Sequence, residues 1–88
     1  MITKKIIVQN RAGIHARPAS LIVQTANKFQ SNVMIEKEGI SVNAKSIMGV
    51  MTMAAGYQAE LIISAEGPDE AEAMAALEQL FITKFEEE

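Results

Sequence analysis

Apolar and polar positions alternate in four short stretches of the chain and recur at helical spacing in three others. Between Ile2 and Val8, β-branched residues are dense. Ile2, Ile6 and Val8 fall on one side of an extended chain together with Lys4, against Thr3, Lys5 and Ile7 on the other. Residues 33–37 and 40–43 predict two further strands joined through Glu38-Gly39, where glycine takes the positive φ of a tight hairpin. A fourth strand runs from Glu60 to Glu66 with Leu61, Ile63 and Ala65 on one face, and Gly67-Pro68-Asp69 breaks it. Helical spacing appears first in Ala19, Ile22, Val23, Ala26 and Phe29, which predict a helix ending near residues 27–29, with Leu21 off its core face. Ser46 opens a short apolar segment, residues 47–53, long enough for one or two helical turns, and residues 54–59 form a turn. A last helix carries Ala73, Met74, Leu77, Leu80 and Phe81 as its apolar stripe and runs to about Lys84. Asp69 and Glu72 have the spacing of a capping box at its start, with Asp in place of the usual Ser or Thr.

The order β-α-β-β-α-β-α predicts an α+β fold, an open-faced β-sandwich in which helices cover one face of a four-stranded, mostly antiparallel sheet. The short middle helix is expected near the sheet edge.

Composition narrows the class. At 88 residues the chain makes one domain, residues 1–88, and 49% hydrophobic with 22% charged residues is the balance of a folded globular protein. A net charge of −3 argues against nucleic-acid binding, which calls for a basic stripe, and the absence of cysteine removes disulfides and thiolate metal sites. The two lysines at the N-terminus lack a long apolar core behind them, and no run approaches the ~18 apolar residues of a membrane span, so a cytoplasmic protein without membrane insertion is expected. Glu86-Glu87-Glu88 reads as a solvated tail, because adjacent like charges repel.

The candidate chemistry lies in Gly13-Ile14-His15-Ala16-Arg17-Pro18-Ala19-Ser20, which holds the only histidine and one of two prolines. Pro18 has a fixed φ near the helical value and no N–H, which suits a first helical turn, so His15 stands just outside the helix entrance. Unpaired N–H groups and the positive end of the helix dipole gather there, an environment that attracts anions. Arg17 adds a permanent cation whose planar fork matches phosphate or carboxylate oxygens. These parts describe a nucleophile in an anion-binding cradle. No phosphate-binding Gly-x-x-x-x-Gly-Lys-Ser/Thr loop, metal-like carboxylate cluster or Ser-His-Asp set accompanies them.

Gly-Ile-His-Ala-Arg-Pro-Ala resembles the active-site signature of the histidine-containing phosphocarrier (HPr) family of the bacterial phosphoenolpyruvate-dependent sugar phosphotransferase system. Asn43-Ala44-Lys45-Ser46-Ile47-Met48-Gly49-Val50-Met51 resembles that family's regulatory signature, at the expected separation. The resemblance covers essentially the whole chain and implies the sheet order 1-4-2-3. It also implies a phosphocarrier and not an enzyme. His15 would accept a phosphoryl group on Nδ1 from phosphorylated enzyme I and pass it to sugar-specific EIIA domains, with no cofactor. The backbone N–H of Ala16 and the side chain of Arg17 would hold the phosphoryl oxygens. Ser46 would be phosphorylated by an ATP-dependent HPr kinase/phosphorylase, slowing traffic through His15 and addressing a catabolite-control transcription regulator.

Ser46 has a structural reading beside that one, as the N-cap of the short helix. Ile47, Met48 and Met51 have helical spacing compatible with burial, yet a helix this short cannot bury every side, and methionine suits adaptable surfaces. The family resemblance implies a partner surface made of Ile47, Met48 and Met51 with Arg17, Ser20, Leu21 and Gln24, on a monomeric protein. Two positions depart from the family pattern: Ala54 and Gln58 stand where glycines are frequent, so Gly56 is expected to supply any positive φ in that turn. Ala12 has no polar side chain with which to reach a phosphate. Two other readings stay open, a nitrogen-related or purely regulatory HPr-like phosphorelay protein and a non-catalytic small α+β regulatory module with a structural His15.

Overall fold

The computed structural model describes residues 1–86. Strand β1 spans Ile2–Ile7, helix α1 Ala16–Ala26, strand β2 Asn32–Lys37, strand β3 Ile40–Asn43, helix α2 Ile47–Thr52, strand β4 Glu60–Glu66 and helix α3 Glu70–Ile82. The four strands form one antiparallel sheet in the order β1-β4-β2-β3, as the family resemblance implies. Leu61, Ile63 and Ala65 of β4 face the helices beside Val33 and Ile35 of β2, and all are fully buried. The helices close this face with Ala19, Ile22 and Ala26 from α1 and Met74, Leu77 and Phe81 from α3. Lys4 shares the helix-facing side of β1 and reaches Glu78 of α3 at 2.9 Å, so its charge is paired at the rim. The middle helix α2 packs on edge strand β3 and on α1, as its length led us to expect.

The β2–β3 turn takes positive φ at both Glu38 (52°) and Gly39 (82°), the geometry that matches the twist of a two-residue hairpin.

Four expectations need correction. Asp69 is the N-cap of α3, but its carboxylate makes no capping bond. It accepts instead from the hydroxyl of Ser31 (2.5 Å) and the N–H groups of Ser31 and Gln30 (both 2.9 Å), tying the exit of α1 to the start of α3. Those bonds, that of the Ser31 hydroxyl first, hold the Asp69 carboxyl below its ordinary range. Glu70 takes over the local task by accepting from the N–H of Gly67 at 3.1 Å. That bond, with the N-terminal amine 3.2 Å away, lowers the Glu70 carboxyl too.

The turn after α2 is the second correction. Ala54 (φ 52°) and Gln58 (φ 69°) themselves adopt the left-handed conformation, and Gly56 does not relieve them. The third is Leu21, which is half-buried against the core cluster and not off it, because α3 lies close enough to cover that side of α1.

The fourth is the C-terminus. α3 stops at Ile82, and Lys84, Phe85 and Glu86 form a turn with φ of 54°, 55° and 60°. This turn folds the Phe85 ring back into the core, edge-on to Phe81 with ring centroids 5.0 Å apart. Glu86 is exposed, as a solvated tail requires; Glu87 and Glu88, the rest of that expected tail, lie outside the described residues.

Candidate phosphoryl-acceptor site

His15 occupies the N-cap position of α1 in extended backbone (φ −86°, ψ −165°), and its exposed side chain makes no capping bond. Its backbone carbonyl receives the first helical bond, from Ala19 at 2.9 Å. Ala16, Arg17 and Pro18 are therefore the first three helical residues. The N–H groups of Ala16 and Arg17 precede any intrahelical acceptor, and Pro18 has none to satisfy. The chain thus enters the helix with two outward N–H donors beside an imidazole that the cap does not consume.

Three contacts fix where that entrance stands. Gly13 has φ +75°, and a Cβ added to it would lie 2.7 Å from the carbonyl oxygen of Ala55. That same oxygen accepts from the N–H of Ile14 at 2.8 Å. Buried Asn10 closes the loop from the other side, its Nδ2 donating to the Gly13 carbonyl at 2.7 Å. The loop before His15 is therefore clamped to the turn after α2, and only glycine fits the closest approach.

Arg17 is exposed, and its Nη1 donates to the carbonyl of Phe85 at 3.2 Å. One donor of the five-donor fork is engaged on the C-terminal turn. On the outer side of α1, Gln24 Nε2 donates to Ser20 Oγ at 3.1 Å, an i, i+4 pair on the exposed surface.

Ser46 is the N-cap of α2 and is exposed, with its hydroxyl accepting from the N–H of Gly49 at 3.2 Å. Its structural reading is thus realised. In α2 only Val50 is buried; Ile47, Met48 and Met51 stand 44%, 71% and 41% exposed. Two bonds join this region to α1: Asn27 Nδ2 donates to the Lys45 carbonyl (3.2 Å), and Lys45 Nζ donates to the carbonyl of Phe29 (2.8 Å). The residues named for a partner surface therefore lie on two helices that touch.

Sequence reading missed Asn10, Asn27 and Phe85 as supports of the site. Only Phe85 left a signal, since it follows Phe81 by four residues. Among the described residues, no group of three or more His, Asp or Glu side chains could hold a metal ion, and no helix is long and apolar enough to cross a membrane.

Residues 2–83 match the family model described as the PTS HPr component phosphorylation site. The chain belongs to the HPr family. It is 59% identical over 88 residues to the phosphocarrier protein HPr of Treponema pallidum, with 100% of both chains covered. The crystal structure of HPr from Thermoanaerobacter tengcongensis superimposes with a TM-score of 0.97 at 49% identity, covering 100% of this chain and 99% of that one. A dimer of HPr from that organism gives 0.78 at 48% identity, covering 97% and 98%. Crh, the Bacillus subtilis catabolite repression containing protein, is 44% identical with a TM-score of 0.71, covering 100% and 97%, and is described as a dimer with a swapping domain. These dimers stand against the monomeric state expected from sequence. The HPr assignment makes the protein a phosphocarrier of the phosphotransferase system, with a Crh relative pointing to carbon catabolite regulation.

Proposed function

We propose that His15 is the phosphoryl acceptor, taking the group from a phosphohistidine of enzyme I and giving it up to sugar-specific EIIA domains in the cytoplasm. The observation that carries this reading is the placement of His15: an exposed side chain at a helix N-cap that makes no capping bond and is followed by N–H donors of the first turn. The lone pair of one ring nitrogen attacks phosphorus and forms a new N–P bond. The donor's N–P bond breaks, and its electron pair returns to the donor imidazole. Throughout, the Ala16 and Arg17 N–H groups and the Arg17 side chain hold the phosphoryl oxygens. A carrier must release its cargo, and a helix-end interaction of ~0.3–1 kcal/mol stabilises the phosphoryl group without trapping it. The protein is then a substrate of other enzymes, with no donor-binding machinery of its own.

The same reading makes Ser46 a regulatory phosphorylation site for an HPr kinase/phosphorylase. Ser46 is exposed at a helix start, where close to two added negative charges are tolerated electrostatically and alter the surface that Ile47, Met48 and Met51 present. That surface, with Ser20, Leu21 and Gln24 of α1, serves as the docking area for enzyme I, EIIA domains and a catabolite-control transcription regulator.

Incubation with phosphoenolpyruvate and enzyme I tests the first claim. An acid-labile, base-stable phosphate that disappears in His15→Ala is the expected result, and labelling that survives the substitution rejects it. For Ser46, the kinase and ATP are expected to give an acid-stable phosphate; its persistence in Ser46→Ala rejects the assignment.

A further inference from the structure

We propose that Phe85 is a positioning residue for phosphoryl transfer, acting through Arg17; the proposal rests on the reading of His15 as acceptor. Arg17 is exposed at the second position of α1, and a long side chain there would ordinarily sample many rotamers. Its Nη1 is instead held 3.2 Å from the Phe85 carbonyl. That carbonyl reaches Arg17 because of an unusual local fold. Lys84, Phe85 and Glu86, none of them glycine, all have φ between 54° and 60°, and the turn closes with Glu86 N–H on the Thr83 carbonyl at 2.8 Å.

Left-handed conformations at three successive non-glycine residues persist only where the surroundings over-determine them. Here the over-determining contact is the Phe85 ring, 1% exposed and set at 70° to Phe81. Local backbone strain and a buried aromatic anchor thus serve one output, a carbonyl that holds the guanidinium of Arg17, two residues after His15. With Nη1 on that carbonyl, Nε and Nη2 are the donors of the fork that would meet phosphoryl oxygens. The rotamer freedom of Arg17 is given up at folding and not at transfer, which is how preorganisation raises a rate.

The test is a double-mutant cycle on the initial rate of His15 phosphorylation by phosphorylated enzyme I, using the full chain. Phe85→Ala is expected to lower the rate about tenfold in the Arg17 protein and to leave it unchanged in an Arg17→Ala background. Phe85→Leu, which keeps an apolar anchor, is expected to restore most of it. Equal losses in both backgrounds, or no loss in either, overturn the proposal.

A second measurement needs no folded variant: ¹⁵N relaxation of the Arg17 Nε–H in the wild-type protein. An ordered guanidinium on the ps–ns timescale is expected, and one as mobile as a free surface arginine overturns the proposal. Failure of wild-type His15 to accept a phosphoryl group would count against the functional reading; the relaxation result would still decide the Arg17–Phe85 contact.

Discussion

The entrances of α1 and α2 are both helix N-termini of the same small protein, yet they use their caps in opposite ways. At α2 the Ser46 hydroxyl accepts from Gly49 N–H, so the cap side chain serves the helix. At α1 the His15 side chain contributes no such bond, and the loop is fixed from outside by Gly13, Asn10 and the Ala55 carbonyl. The helices behind them differ to match. α1 has 11 residues and buries Pro18, Ala19, Ile22 and Ala26, which holds it in place without help from its cap. α2 has 6 residues and buries only Val50, so its cap accounts for a larger share of its stability. A side chain becomes available for chemistry at a helix start when the rest of the structure has already stabilised that start.

If this contrast is right, the two entrances should break in different ways. The largest effect is expected from Gly13→Val. Its Cβ would meet the Ala55 oxygen at 2.7 Å, in a backbone region that β-branched residues avoid. A loss of about 2–4 kcal/mol is expected, from strain and clash together. In a thermal melt that is a fall in Tm of about 8–30 °C, since about 1 kcal/mol moves a domain of this size by about 4–8 °C. A melt within a few degrees of wild type would show that the loop is not clamped. Next is Ser46→Ala, which removes the capping acceptor and should cost about 1 kcal/mol. His15→Ala should by contrast cost less than Ser46→Ala in the same melt, because it removes no capping bond. Equal losses at the two caps would erase the distinction.

A smaller change, of opposite sign, is expected in the turn that receives the His15 loop. Gln58 has φ 69° and Ala54 φ 52°. Gln58→Gly relieves a left-handed strain of about 1–2 kcal/mol. Most of that gain is offset by the greater freedom of glycine in the unfolded chain, about 0.4–1 kcal/mol. A rise in Tm of a few degrees, without change in His15 labelling, is the expected outcome.

The smallest effect lies away from both entrances, at Asp69. Its carboxyl is lowered by the Ser31 hydroxyl and by the Gln30 and Ser31 N–H groups. The unfolded chain therefore binds more protons than the folded one as pH falls toward the carboxylate range. The stabilisation is fully present above the ordinary carboxylate value and is lost as pH drops through the lowered one. Urea titrations across that window should show a steeper acid loss for wild type than for Asp69→Asn. Identical slopes would remove Asp69 from the account.

The pattern of apolar positions made most of this architecture legible. Period-two alternation in Leu61, Ile63 and Ala65 and helical spacing in Ala19, Ile22 and Ala26 report burial directly, and these residues are the core. The cap of α2 was legible because a serine before an apolar segment has a local physical reason to be there. What escaped depended on contacts far along the chain. Asp69 has a capping position, but its carboxylate is drawn to Ser31, 38 residues away. Arg17 has the chemistry of an oxygen clamp, yet the carbonyl that holds it belongs to Phe85, 68 residues on. Gly56 looked suited to the left-handed turn, but the hydrogen bonds of Gln58 N–H to Val8 (2.8 Å) and Ala54 N–H to Met51 (3.2 Å) belong to residues that themselves adopt positive φ. Local preference identified the elements, and tertiary contacts decided which side chains were left available.

The central claim is that the helix entrance at His15 is kept for phosphoryl chemistry. It is tested most directly by incubating wild-type protein and His15→Ala with phosphoenolpyruvate and enzyme I and locating the phosphate by mass spectrometry under alkaline conditions. We expect one acid-labile phosphate on His15 in the wild type and none in the variant. A phosphate on another residue, or no phosphate while enzyme I itself is charged, would contradict it.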